Sequence, residues 1–336
     1  MISNKIIFIC GHRKCGTTMF GNLFDNHKDL VVYPTDLSIF YGYFPKFNNN
    51  KYTLKEKLRR LEIVIFENLK RVFAKNELDL NNEISIIKMK KYFYNSLNKK
   101  KINKIDHIFK CLIYSFQKAA NIPINKNQII IVKETGLEIY ATEIKKLFPS
   151  SKFIQLIRDP RDNYSSLKSG SSKHYLKFNE DYIHSLASMI NSYGLGLKLS
   201  QINQEKFGNK NYMITKYEDI CSNPKKELKK ISKFLNIEFS EVLLTPTVMG
   251  KSTKGNNFDG EKFYKISNKN VGRFEKRISK DEIKIIEFYL EEFMKLYKYK
   301  LKYNPKYSLK IISQYYKILH LKYFFRDSFV KINKIS

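Results

Sequence analysis

Apolar positions fall along this chain in two rhythms. Short, dense, largely β-branched runs recur at Lys5–Cys10 (KIIFIC), Leu30–Tyr33 (LVVY), Ile129–Val132 (IIIV), Phe153–Ile157 (FIQLI) and Tyr212–Thr215 (YMIT). Each is too short for a helix and reads as a buried strand. The second ends at Pro34. Between them, apolar residues step by three and four: Met19, Phe20, Leu23 and Phe24; Leu54, Leu58, Leu61, Ile65 and Leu69; Ile108, Leu112, Ile113 and Phe116; Ile139, Tyr140, Ile144, Leu147 and Phe148. These are helical faces. A long helix is expected from about Arg161 to Leu199. Another opens at Asn223-Pro224, with Asn as cap and Pro in the first turn, and ends near Leu235. Ser279 and Glu282 form a capping box for a last helix to about Tyr297. Continuously apolar strands alternating with helices predict an α/β fold, a parallel β-sheet flanked by helices. In such sheets ligands bind beyond the carboxyl ends of the strands.

The pattern divides the chain into a main body over 1–300 and an extension over 301–336. Residues 53–122 read as a helical insertion that covers the sheet and the acceptor, without a chemical signature. The extension reads as basic, aromatic and helical. An aromatic run (Phe40, Tyr41, Tyr43, Phe44) precedes the polar break Asn48–Asn50.

Composition sharpens this only in part. Hydrophobic residues make up 43% of the 336, enough for a globular core. The balance of 62 Lys+Arg against 32 Asp+Glu gives a net charge of +30, which favours anionic partners such as nucleotides, nucleic acids, acidic glycans or membrane surfaces. The basic residues are spread along the chain, with Lys, Asn and Ile over-used as coding bias would produce. The charge therefore singles out no nucleic-acid module, and no specific nucleic-acid partner is expected. The four cysteines, Cys10, Cys15, Cys111 and Cys221, form no C-x-x-C pair and no zinc spacing. No signal peptide and no run of roughly 20 apolar residues is seen, so a cytoplasmic, non-membrane protein with reduced thiols is expected.

Chemistry concentrates after the first strand, in Gly11, His12, Arg13, Lys14, Cys15, Gly16, Thr17 and Thr18. A strand, a glycine-bracketed loop and a helix start make an anion cradle: glycines admit close backbone approach, and the first helical N–H groups point at the anion. The loop lacks the Lys-Ser/Thr pair that follows the second glycine of a metal-holding Walker loop. Other candidates sit at strand ends. These are Lys133 and Glu134 after the third run, Arg158 in Arg158-Asp159-Pro160-Arg161-Asp162 with Ser166 eight residues on, Tyr217-Glu218-Asp219 after the fifth, and Val271-Gly272-Arg273-Phe274.

G-x-x-[KR]-x-G-T-T after an N-terminal strand resembles the 5′-phosphosulfate loop of sulfotransferases that use 3′-phosphoadenosine 5′-phosphosulfate (PAPS). R-D-P-R-D-x-x-x-S resembles that family's 3′-phosphate motif, and the remaining segments follow in family order over roughly 5–46 and 129–298. The resemblance implies a P-loop NTPase-like sulfotransferase fold, PAPS as donor co-substrate and no metal. It implies that Gly11 to Thr18 hold the 5′-phosphate and that Lys14 faces the leaving group. Lys133 would lie near the sulfuryl group, Arg158, Ser166 and Arg273 at the 3′-phosphate, and Tyr217 near the adenine. Cys15 departs from the usual Ser or Thr. The acceptor, a glycan or small molecule offering a hydroxyl or amine, is not legible, nor is the oligomeric state. For the general base, Asp36 after the second strand is the first choice. Glu134 is second, and His12 and His184 are weaker. Asp36 also reads as a helix cap for the segment from Leu37, and the Phe40–Phe44 aromatic run as an apolar wall beside it. The alternative to sulfuryl transfer is a P-loop kinase-like phosphotransferase.

Overall fold

A computed structural model describes residues 5–40, 52–75, 85–171, 182–253, 255 and 261–303. Tyr41, Tyr43 and Phe44 of the aromatic run, and nearly all of the 301–336 extension, lie outside the described residues.

Five strands form one parallel sheet: β1 (Ile6–Cys10), β2 (Leu30–Asp36), β3 (Ile129–Lys133), β4 (Lys152–Ile157) and β5 (Tyr212–Lys216), in the order β2-β3-β1-β4-β5. β1 is central and buried throughout, which is why its sequence does not alternate. Its odd and even residues serve different cores. Phe8 stacks on Phe153 (5.5 Å between centroids) and meets Phe40, Phe109 and Phe148 on one face. Ile7 and Ile9 join Phe20, Phe24, Ile131, Leu156 and Leu228 on the other. Full burial of each such side chain contributes about 1.5–3 kcal/mol.

The helix Ile105–Ala119 lays Phe109, Leu112 and Phe116 into the first core, and Pro224–Leu235 packs Leu228, Ile231 and Leu235 into the second. A third cluster joins the helices Pro160–Ser171 and Lys280–Leu296 around Tyr164, Tyr193 and Ile286. The Ser279/Glu282 capping box forms as expected, and a second one, Thr53 with Glu56, opens the helix Leu54–Leu61.

Three sequence expectations are corrected. Pro34 does not end the second strand, which runs on to Asp36. β2 is an edge strand and its register shifts between Val32 and Asp36, so a residue without an N–H is tolerated there. The long helix from Arg161 contains a π-helical stretch and runs past Leu199, with 172–181 outside the described residues. Pro160–Ser171 is followed by Tyr182–Ala187, a π-helical stretch Ser188–Tyr193, and Gly194–Phe207. Finally, Asn223 makes no side-chain cap bond, although Pro224 does start its helix.

Candidate active site

The loop after β1 is shaped by close approaches. At Gly11 (φ +148°) a Cβ would lie 2.6 Å from the Leu156 carbonyl oxygen of β4. At Gly16 (φ +97°) it would lie 2.5 Å from the Tyr217 ring. Only glycine fits either position, and the second shows that Tyr217 packs directly on the loop. Lys14 adopts φ +67°, a left-handed conformation that costs a non-glycine residue about 1 kcal/mol and recurs at functional sites. It lies in the turn that the Cys15 N–H closes by donating to the His12 carbonyl at 3.1 Å, just before the helix Thr17–Asn22.

Two loop side chains, Cys15 and His12, turn inward. Cys15 is fully buried, its Sγ accepts from Asn163 Nδ2 at 2.9 Å, and burial pushes its thiol up to about 12. The His12 ring stacks on Tyr193 at 5.2 Å, with Nδ1 3.3 Å from Asn163 Oδ1. Both side chains brace the loop from behind. His12 is also poorly placed as a base. His184 lies in the helix Tyr182–Ala187, and its side chain is outside the described residues.

Arg158, at the end of β4, is the hub. Its Nη1 donates to the Lys14 carbonyl (2.9 Å) and to Ser166 Oγ (3.2 Å), and Nη2 donates to the Asn270 carbonyl (2.6 Å). The guanidinium lies 4.7 Å over the Tyr217 ring, and Nε is buried with no partner among the described residues. The eight-residue spacing thus returns Ser166 to Arg158 through the first turns of the Pro160–Ser171 helix. The Tyr193 hydroxyl holds the Arg158 backbone, accepting from its N–H (2.8 Å) and donating to its carbonyl (2.6 Å). Arg273 donates to Asn270 Oδ1 at 2.7 Å and pairs with Glu261 at 3.1 Å.

At the neighbouring strand ends, Lys133 and Asp36 are paired. Lys133 Nζ donates to Asp36 Oδ1 at 2.9 Å, across the register that sets Asp36 opposite Lys133. The lysine stem passes Gly21, where a Cβ would lie 3.2 Å from Lys133 Cδ. The Asp36 carboxylate is thus engaged by an ammonium. Asn68, in the helix Asn68–Lys75, donates to the Asp36 carbonyl at 3.2 Å and ties the 53–122 segment to this edge. Glu134 is buried, and its N–H donates to the Ile9 carbonyl at 3.1 Å.

Several residues at the site gave no usable sequence signal. Glu138 is buried behind Gly11 and pushed up to about 7 by loss of hydration. Tyr193, Asn163 and Asn270 act through contacts between elements distant in sequence. Glu218 accepts from the Asp159 N–H at 2.8 Å and from the Tyr299 hydroxyl at 3.0 Å. Asp162 and Glu218 stood inside recognised motifs, and their places there could have drawn attention to them.

A glycine-bracketed loop, a strand-end arginine with its serine, and a lysine–carboxylate pair thus share the carboxyl edge of a parallel sheet. Two solved structures share the fold, which is all that likeness at this identity can show. The sulfotransferase domain from the curacin biosynthetic pathway matches at TM-score 0.56 and 16% identity, over 89% of this chain and 99% of its own. The sulfotransferase domain of the Synechococcus PCC 7002 olefin synthase matches at 0.55 and 16%, over 89% and 96%. Comparison with curated protein sequences returns no match. The family model described as "Sulfotransferase family" matches residues 7–241, from β1 to beyond the helix Pro224–Leu235. That span takes in the loop, Asp36, Lys133, Arg158, Ser166 and Tyr217, and on it the chain belongs to the sulfotransferase family.

Proposed function

We propose that this sulfotransferase takes its sulfuryl group from PAPS and passes it, without a metal, to a hydroxyl or amine of a glycan or small-molecule acceptor. The observation that carries the reading is the convergence on Arg158. One guanidinium reaches the loop through the Lys14 carbonyl, Ser166 on its own helix, and the Arg273 segment through Asn270. Its Nε–H, buried with no partner among the described residues, and the ring of Tyr217 beneath it fit a phosphorylated nucleoside. The donor supplies an activated sulfur bonded to a good leaving phosphate.

This chain's residues then have separate tasks. The loop amides, with Thr17, Thr18 and Lys14, hold the 5′-phosphate side and offset charge that develops on the leaving oxygen. Arg158, Ser166 and Arg273 take the 3′-phosphate, and Tyr217 packs near the adenine. Lys133 offsets charge near the sulfuryl group while orienting Asp36, its partner at 2.9 Å. As the acceptor oxygen or nitrogen bonds to sulfur and the bond from sulfur to the 5′-phosphate oxygen breaks, Asp36 takes the acceptor's proton. The phosphotransferase alternative gains no support from the family match.

The test is ligand-dependent stabilisation, since a ligand that binds the native state raises its melting temperature. In EDTA, 3′,5′-diphosphoadenosine should stabilise the protein, and 5′-AMP should do so less. Stabilisation by ATP with Mg²⁺ and none by 3′,5′-diphosphoadenosine would overturn the reading.

A further inference from the structure

The segment carrying Arg273 is held through its backbone by a carboxylate from another element. Arg273 begins a 3₁₀ turn, Arg273–Lys276, behind Gly272 in a left-handed conformation (φ +74°), and glycine offers no side chain to satisfy the turn's first amides. Asp162, on the Pro160–Ser171 helix, supplies the acceptor instead. Its Oδ2 accepts from the Gly272 N–H at 2.6 Å and its Oδ1 from the Phe274 N–H at 2.9 Å. The two amides flank Arg273, so one buried carboxylate grips the backbone on both sides of that residue. The neighbours of Asp162 complete the clasp. Arg161 lies 4.2 Å over the Phe274 ring, and Arg158 holds the Asn270 carbonyl. The guanidinium groups of Arg158 and Arg273 thereby meet one residue, Asn270, the first on its backbone oxygen at 2.6 Å and the second on its side-chain oxygen at 2.7 Å.

We propose that Asp162 is a positioning residue for nucleotide selection: by fixing the backbone around Arg273 it brings that guanidinium beside Arg158, where the two grip the 3′-phosphate together. The inference rests on the PAPS reading above. Asp162→Asn keeps the shape and one acceptor but sets an NH₂ group against a backbone N–H, so one of the two bonds is lost and the turn shifts. A shift of Arg273 selects between ligands, whereas general loosening of the fold does not.

The test is calorimetric binding of 3′,5′-diphosphoadenosine and of 5′-AMP to the full chain and to Asp162→Asn, Arg273→Ala and the double variant. Loss of a charge-assisted contact predicts that Asp162→Asn weakens the diphosphate by about tenfold or more and 5′-AMP much less. It should add little to the loss in Arg273→Ala, because two residues acting through one contact are not additive. Equal losses for both nucleotides, or full additivity, overturn the positioning role while leaving the PAPS reading standing. A wild-type protein with no preference for the 3′-phosphate overturns both. Should Asp162→Asn fail to fold, Gly272→Ala carries the test. A Cβ there meets nothing within 4 Å, so it perturbs only the left-handed backbone. The same selective loss supports the proposal, and an equal loss refutes it.

Discussion

Glu138 should make this protein less stable as pH rises through neutrality. Its carboxyl lies buried behind the loop, with Oε2 lacking a partner among the described residues and with Gly196 so close that a Cβ there would sit 2.6 Å from Oε1. Loss of hydration raises its pKa from 4.5 to about 7, against the weaker pull of the Gly11 N–H and its own backbone. Between those values the folded chain holds a proton that the unfolded chain has released. Stability from this group is therefore full below the unfolded pKa and is lost as pH climbs through the folded one. At 1.36 kcal/mol per unit, the shift corresponds to about 3 kcal/mol, of which about 2–3 kcal/mol disappears between pH 5 and pH 8. Other groups titrate in the same range, so the measurement is a difference. Wild type and Glu138→Gln are unfolded in urea at several pH values, and the gap between them is followed. Gln cannot ionise, so the gap should move against wild type by that amount on going from pH 5 to pH 8. A gap that stays flat would mean that Glu138 is ionised inside the protein, and the burial argument would fail.

Three further outcomes test the chemistry. Lys14→Ala should lower turnover by about 10²–10³ with the circular dichroism spectrum unchanged; a loss well under tenfold would remove Lys14 from the leaving-group side. Asp36→Asn keeps an acceptor for Lys133 but cannot take a proton. It should cut turnover by about 10²–10⁴ with donor affinity unchanged, and full turnover would move the base to Glu134. Transfer measured in EDTA should match transfer measured with Mg²⁺. A rate that vanishes in the chelator and returns with the ion would contradict charge neutralisation by Lys14, Lys133, Arg158 and Arg273.

Much of the sheet was legible because the inner strands β1 and β3 are buried on both faces and so appear as unbroken apolar runs, Ile129 to Val132 most plainly. The loop was legible for a different reason. Gly11 and Gly16 are required by contacts with Leu156 and Tyr217, and a glycine that only glycine can replace leaves its mark in sequence. Pro34 misled because its meaning depends on whether the strand lies at an edge, and strand order is a tertiary fact. The π-helical turn at Ser188–Tyr193, which delivers Tyr193 to Arg158, was not legible because helical periodicity survives it. At the site, motif spacing brought Ser166 to Arg158. It could not reveal that Lys133 and Asp36 would pair, since 97 residues separate them. Nor could it show that Cys15 points into the core, because a loop cysteine and a buried one look alike in sequence.

The net charge of +30 explains less of this molecule than the placement of a few acids. Loops that leave the carboxyl ends of strands have backbone N–H groups with no ladder to receive them, and buried ones must find an acceptor. Here carboxylates from distant elements supply it. Asp162 takes Gly272 and Phe274, Glu218 takes Asp159, Glu287 takes Lys302 and Tyr303, and Asp25 takes Gly250. A hydrogen bond to an ionised acceptor contributes about 1.5–3 kcal/mol where a neutral one contributes about 1. Glu287 also receives Arg161 at 2.6 Å, which fixes the start of the helix behind Arg158 and joins it to the segment after Tyr299. Several of these acids thus fix the backbones from which Arg158 and Arg273 extend. Scattered surface lysines could double in number without altering that geometry, whereas removing one buried carboxylate would move it. The specificity of a basic site in a basic protein then lies in its acids, which decide where the cations stand.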